Sequence, residues 1–335
     1  MSAPRLIIAG LIGLIAGTAH AVADTPVPPP VAAVSDDRLA IGDAQLPVFA
    51  SQDWSRPLPV VRRAVIVVHG YDRNAADYLR HVMDARPPAD TIVIAPQFLA
   101  VEDIAAHLLP ASVLRWKRER WSGGEPAEDP RALSAFDVLD ALIARLDDRA
   151  RFPNLRHIVL AGFSAGGQLV QRYAAVGRGS AIAAVSYVVG SPSSFAYFGE
   201  QRPIPAADCP DVNRWKYGFA GGLPPYVLGA VGQGIPALER RYVARPVTYL
   251  VGANDNNPEH RFLDKTCGAE AQGANRLART IGFFTILHQR DGDNLRQEIH
   301  VIAGTAHNAA KIFTSPCGRA ALFGEGECRD TETPK

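Results

Sequence analysis

The sequence lacks an excess of either charge. Its 335 residues carry 35 Lys and Arg against 34 Asp and Glu, a formal net charge of +1, so nothing electrostatic points to nucleic acid as a partner. No heptad run or internal repeat is present, which argues against a coiled coil or a solenoid. With 47% hydrophobic and 21% charged residues, the composition is that of a globular chain with one large α/β domain or two modest ones.

After its N-terminus, the chain has no apolar stretch long enough to suggest a membrane span. The N-terminus itself has one basic residue, Arg5, an apolar run from Leu6, and small-x-small sites ending at Ala21 or Ala23. This pattern predicts a cleaved signal peptide over residues 1–23, the alternative being an uncleaved anchor. We therefore expect a secreted or periplasmic protein without stable membrane insertion after cleavage. A Pro-rich linker is predicted over 24–37.

Cysteine is scarce, and its spacing does not suggest a metal site. The four cysteines form no C-x-x-C pair and have no nearby histidine pair, so zinc is disfavoured and no metal is expected. An even number in an exported chain favours two disulfides, with three possible connectivities. We expect Cys317 to pair with Cys328 across a Gly-rich segment, and Cys209 with Cys267.

The order of predicted elements is that of an α/β protein with a mostly parallel sheet covered by helices on both faces. An edge hairpin is followed by strands expected at residues 64–70, 91–96, 157–162, 181–190, 246–252 and 297–304. One helix is expected after the candidate cap Asn74, one over residues 165–176, and another from about Pro130. The globular domain would span residues 38–325, with a cap-like insertion over 191–245 and a tail over 326–335.

Three residues at predicted strand ends form a candidate catalytic triad. Ser164 stands in the G-x-S-x-G motif of "GFSAG" between a strand and a helix, where a nucleophile elbow would lie. Asp255 and His307 each follow a later strand, in the chain order that accompanies such a serine. Each has an ordinary alternative, because Gly-rich turns, turn aspartates and loop histidines are common. Together, the residue types, positions and order favour a triad.

An oxyanion hole requires two backbone N–H groups near the nucleophile. Ala165 would supply one and Tyr71, in "VVHGYD", the other, while His69 is expected to be structural. The basic, aromatic run "RWKRERW" (115–121) suggests either a substrate-binding lip or a solvated helix face with tryptophans turned inward. From this region we take Trp121, Gly123 and Gly124 as candidate substrate-binding residues.

From Arg38 to Gly324 the chain resembles the α/β-hydrolase superfamily. The segments "HGYDRNAADY" and "GFSAGG" are similar to those of secreted polyhydroxybutyrate depolymerases and feruloyl esterases. The resemblance implies Ser164 as nucleophile, Asp255 as acid, His307 as base, and Tyr71 and Ala165 as oxyanion donors. The chain departs from that subgroup after His307, where "NAAKIF" replaces the Trp-Pro-Gly that tends to follow.

These features favour a serine esterase that acts through an acyl-enzyme on an ester substrate and needs no cofactor. A peptidase or amidase with the same triad is one alternative. A noncatalytic binding protein of the hydrolase fold is another. A serine at the elbow argues against epoxide hydrolases and haloalkane dehalogenases, which would have aspartate there.

Overall fold

An eight-stranded sheet forms the centre of the computed structural model, which describes residues 29–329. The predicted signal peptide and the first part of the predicted linker lie outside the described residues, as does most of the tail. The described strands are β1 (Arg38–Ile41), β2 (Ala44–Ala50), β3 (Arg63–Val68), β4 (Thr91–Pro96), β5 (Leu99–Ala100), β6 (Arg115–Trp116), β7 (His157–Phe163), β8 (Ala184–Gly190), β9 (Val247–Gly252) and β10 (Gln297–Ile302).

The sheet has the order β1-β2-β4-β3-β7-β8-β9-β10. From β4 to β10 all neighbouring strands are parallel, and the β1–β2 hairpin adds the antiparallel edge. The predicted mostly parallel sheet with an edge hairpin is therefore confirmed. Strands β5 and β6 form a separate two-stranded parallel pair.

Helices cover both faces of the sheet. They are α1 (Ala75–Asp84), α2 (Val101–Ala106), α3 (Ala135–Leu146), α4 (Ala165–Val176), α5 (Pro225–Ala230), α6 (Ile235–Val243), α7 (Cys267–Glu270), α8 (Arg276–Asp291), α9 (Ala309–Thr314) and α10 (Pro316–Phe323). Alternate residues of β3 reach opposite faces: Ile66 belongs to the hydrophobic cluster that contains residues of α3 and α4, and Val67 to the cluster that contains residues of α1 and α9. This two-sided burial explains the unbroken β-branched run in the sequence.

The helix expected from about Pro130 begins five residues later than predicted. Ser134 caps α3: its hydroxyl accepts a hydrogen bond from the Phe136 N–H at 3.0 Å, and Asp137 accepts one from the Ser134 N–H at 2.9 Å. This reciprocal capping box satisfies backbone donors that Pro130 could not. Asn74 does occupy the cap position of α1, but its side chain donates to Asp77 and makes no capping bond.

The run at 115–121 is not an α-helix. It consists of β6 followed by a 3-10 helix, Arg118–Gly123, with Trp116 and Trp121 fully buried. Of the two alternatives, the one with inward-facing tryptophans is observed, but the segment is not the α-helix that this alternative assumed. A 3-10 turn of this kind has no strong pattern that would distinguish it from an α-helix.

Candidate active site

Ser164 lies at the junction of β7 and α4 with a backbone conformation that few side chains adopt. Its φ of 58° and ψ of −118° are unfavourable for a residue with a Cβ, and such strain is common where a nucleophile is presented. The junction is held because the Ser164 N–H donates to the Gly190 carbonyl at 2.8 Å. Its residue surface is 8% exposed.

The glycines around Ser164 allow close backbone packing. A Cβ on Gly166 would lie 2.3 Å from the Val68 carbonyl oxygen and 2.5 Å from that of His69. A Cβ on Gly162 would lie 2.3 Å from the Gly166 carbonyl oxygen. Because none of these backbone atoms can move freely, only glycine lets the start of α4 approach the end of β3 this closely.

Asp255 and His307 form a hydrogen-bonded pair beyond β9 and β10. The distance from His307 Nδ1 to Asp255 Oδ2 is 2.7 Å, and Asp255 is 4% exposed. Their two loops are tied by the Asn254 N–H, which donates to the Thr305 carbonyl at 2.8 Å. Since Nδ1 bonds the carboxylate, the neutral imidazole carries its proton there and leaves Nε2 as the acceptor.

The elbow and the Asp255–His307 pair lie at the same edge of the sheet. Phe163, which precedes Ser164, has its ring centroid 4.6 Å from that of His307. This edge is formed by the carboxyl ends of β7, β9 and β10, as expected for the chemistry of an open parallel sheet. The structure thus brings the three sequence-predicted residues into one region.

The electrostatics keep the acid ionised and the base neutral. Burial alone would raise the pKa of Asp255, but the hydrogen bond and charge of His307 and the charge of Arg276 hold that pKa below its usual value. Burial lowers the pKa of His307 below 6.5, and the hydrogen bond to Asp255 offsets this only in part. A neutral imidazole beside a carboxylate is the state that a general base requires.

His69 orients the loop that carries Tyr71. Its Nε2 accepts from the Phe98 N–H at 2.9 Å, so Nδ1 carries the proton and donates to the Gly70 carbonyl at 2.8 Å. In a trans peptide the C=O and the following N–H point in opposite directions. Holding the Gly70 carbonyl therefore fixes the direction of the Tyr71 N–H, as a preformed oxyanion donor needs.

A buried ion pair also holds the loop that carries Tyr71. Arg73 and Asp103 are 1% and 0% exposed, and two guanidinium nitrogens lie 2.7 and 3.0 Å from the carboxylate oxygens. The backbone N–H of Arg73 also donates to the Gly70 carbonyl at 3.2 Å. Such bidentate geometry gives directional rigidity to the segment that follows β3.

The three candidate substrate-binding residues differ in their exposure and surroundings. Trp121 has no exposed surface, and its ring stacks on Phe98 at 5.2 Å, so in this structure it is a core residue. Gly124 ends the 3-10 helix with a φ of 67°. Gly123 lines a polar cleft of about 250 Å³ together with Arg120, Trp215 and Lys216. Of the three, only Gly123 borders this cleft.

The sequence patterns did not predict the aromatic and basic side chains beside the candidate triad. Phe262 lies with its ring 5.0 Å from that of Tyr71, and the His260 ring lies 5.1 Å from that of His307. Both follow Asp255 within seven residues, and this short separation in sequence could have indicated that they lie near the site. Arg276, with Nη1 3.8 Å from Asp255 Oδ1, had no comparable signal.

Both predicted disulfides, Cys209–Cys267 and Cys317–Cys328, are present. The first connects the 191–245 segment to the chain that follows the Asp255 loop. Within residues 29–329, His300 lies near Cys317 and Cys328, but the disulfide leaves no thiolate for a metal. The described residues also contain no helix long and apolar enough to cross a membrane.

The sheet order and the elbow define the α/β-hydrolase fold, and solved structures agree. A poly(aspartic acid) hydrolase from Sphingomonas sp. KT-1 matches with a TM-score of 0.60 and 17% identity, over 88% of this chain and 99% of that one. A poly(3-hydroxybutyrate) depolymerase from Bordetella parapertussis matches with a TM-score of 0.59 and 21% identity, over 85% and 86%. No protein-family model and no curated protein matches the sequence.

Proposed function

We propose that this chain is a secreted or periplasmic serine hydrolase that cleaves carboxylic esters. The observation that carries the proposal is the pairing of His307 with buried Asp255 at the sheet edge where Ser164 occupies a strained elbow. The fold shared with hydrolases and depolymerases supports it. The two disulfides are consistent with export.

In the proposed reaction, Ser164 Oγ attacks the ester carbonyl while His307 Nε2 accepts the hydroxyl proton. Asp255 orients the imidazole and stabilises its cationic form. The oxyanion accepts hydrogen bonds from the Tyr71 and Ala165 N–H groups. The His307 proton then passes to the leaving alkoxide, and an acyl-enzyme remains on Ser164.

Water completes the cycle by the same route. His307 accepts a proton from water, the hydroxide attacks the acyl carbonyl, and the carboxylic acid leaves as the proton returns to Ser164. The neutral state of His307 and the ionised state of Asp255 supply both steps with a base near neutral pH.

The proposal is tested by ester turnover in matched variants. We expect Ser164→Ala and His307→Ala to lower kcat/KM by at least about 10³-fold, because removing a triad member leaves only binding and oxyanion stabilisation. His157→Ala is the control for the base, since it removes an exposed histidine from the opposite end of β7. Ser55→Ala is the control for the nucleophile, since Ser55 is exposed.

The control variants should retain activity within about twofold, as expected for surface substitutions. Normal turnover by folded Ser164→Ala would rule out the proposed nucleophile. An ester and an amide with the same acyl group should be compared in the same assay. Faster cleavage of the amide would replace the esterase assignment by a peptidase or amidase.

A further inference from the structure

Arg276 is a fully buried cation on the side of Asp255 away from the base. It is the first residue of α8, and its side chain is 1% exposed. Its Nη1 lies 3.8 Å from Asp255 Oδ1, whereas Asp255 Oδ2 bonds His307 Nδ1 at 2.7 Å. The two oxygens of one carboxylate therefore face the cation and the base, respectively.

The position of Arg276 is fixed by the backbone around it. Its Nη2 donates to the Phe262 carbonyl at 2.9 Å, and the next residue, Leu277, donates its N–H to the Asp255 carbonyl at 3.1 Å. Asn275 caps α8 by accepting from the Ala278 N–H. The start of α8 thus holds both the backbone and the carboxylate of Asp255.

The guanidinium is not satisfied by ordinary structural bonds. Among the described residues, its Nε and Nη1 have no hydrogen-bond acceptor. A buried cation that is only partly hydrogen-bonded is costly unless an opposite charge compensates it. Within the described part of the chain, Asp255 has the one carboxylate that lies within 4 Å of the guanidinium, so the positive charge acts on the proposed acid of the triad.

We propose that Arg276 is a positioning residue that fixes the orientation and the ionised state of Asp255 and thereby tunes His307. This inference rests on the proposed function, because it assigns a role within that triad. Arg276 touches neither Ser164 nor the imidazole; it would act through the carboxylate. Its positive charge disfavours protonation of both Asp255 and His307.

Arg279 provides a matched control on the same helix. It is fully buried, like Arg276, and lies three residues further along α8. Its guanidinium bonds backbone carbonyls, those of Gly273 at 2.8 Å and Ser193 at 2.5 Å. Removing either arginine disturbs the core, but only Arg276 is paired with Asp255.

Three titratable or charged groups near His307 bear on its pKa. Asp255 faces it from the loop after β9, Arg276 from α8, and the His260 ring packs against it from the Asp255 loop. Burial and the charge of Arg276 lower the pKa of His260 to about 4, so near neutral pH it is uncharged. Arg276 is therefore the cation whose loss should shift the titration of His307.

The test is the pH dependence of Ser164 labelling by a fluorophosphonate, measured from about pH 4 to about pH 9. Arg276→Gln keeps a donor for the Phe262 carbonyl but loses the charge, and Arg276→Lys keeps the charge. Labelling slows at low pH as His307 becomes protonated, and this part of the rate–pH profile is its acid limb. We expect Arg276→Gln to shift the acid limb to higher pH by about 0.5–1 pH unit. Below the limb, its labelling rate should then be about three- to tenfold lower than that of the wild type.

Arg276→Lys and Arg279→Gln should retain the wild-type limb. An unshifted limb in folded Arg276→Gln would overturn the proposal, as would an equal shift in Arg279→Gln. If Arg276→Gln does not fold, Arg276→Met serves as the second neutral variant. Failure of the wild type to label would instead contradict the proposed function, so the two failures are distinguishable.

Discussion

At the level of single residues, the proposed triad depends on the protonation of buried groups. Asp255 is buried, the His307 side chain is 15% exposed, and their 2.7 Å hydrogen bond through Nδ1 leaves His307 Nε2 as the acceptor. Their positions after two parallel strands predicted that these two side chains would lie at the same edge of the sheet. Arg276 could not be predicted, because its contact with Asp255 depends on where α8 begins relative to the loop after β9.

His69 shows the same coupling between burial and protonation in a residue that supports the site. Burial lowers its pKa to about 4 from 6.5. The unfolded chain therefore binds this proton at higher pH than the folded chain. The stabilisation is present above pH 6.5 and is lost as the pH falls toward 4, an effect of about 3 kcal/mol.

We expect the free energy of unfolding to decrease as the pH is lowered from 6.5 to 4. This decrease should be smaller in His69→Gln. Glutamine can donate to the Gly70 carbonyl and accept from the Phe98 N–H, but it does not titrate. Urea unfolding of both proteins at several pH values measures the difference. Parallel pH profiles for the two proteins would show that His69 does not titrate as proposed.

At the scale of elements, the elbow depends on how closely α4 approaches β3. The strand, the turn and the helix were all predicted from "HIVLAGFSAGGQL", because each has a strong local pattern. The start of α3 was misplaced, because the prediction rested on Pro130 whereas Ser134 and Asp137 form the capping box. The Arg118–Gly123 3-10 helix was also missed, because its burial is decided by packing of Trp121 against Phe98 and His69.

Gly166→Ala tests the close approach directly. The added Cβ would lie 2.3 Å from the Val68 carbonyl oxygen, so either the start of α4 or the end of β3 must move. We expect a loss of about 1–3 kcal/mol in unfolding free energy and a large loss of ester turnover. Denaturant unfolding and kcat/KM measure the two effects.

Gly229→Ala in α5 is the control, because nothing lies within 4 Å of its added Cβ. A helical alanine there should leave stability unchanged or raise it by up to about 1 kcal/mol. If Gly166→Ala were as active and as stable as Gly229→Ala, the elbow would not need this close packing.

At the scale of the whole molecule, the sheet order brings residues distant in sequence to one edge. Ser164, Asp255 and His307 follow β7, β9 and β10, and the parallel arrangement places these strand ends together. The alternation of strands and helices predicted this convergence. The polar cleft at Gly123 and the aromatic contact of Tyr71 with Phe262 depend on long-range loop packing, which local patterns do not encode.

Intact-mass analysis after treatment with a fluorophosphonate tests whether Ser164 is an activated nucleophile. We expect one adduct on the wild-type protein, mapped to Ser164 by peptide sequencing, and none on Ser164→Ala. Ser55→Ala should label like the wild type. A folded wild-type protein that forms no adduct, or forms it at another serine, would rule out Ser164 as an activated nucleophile.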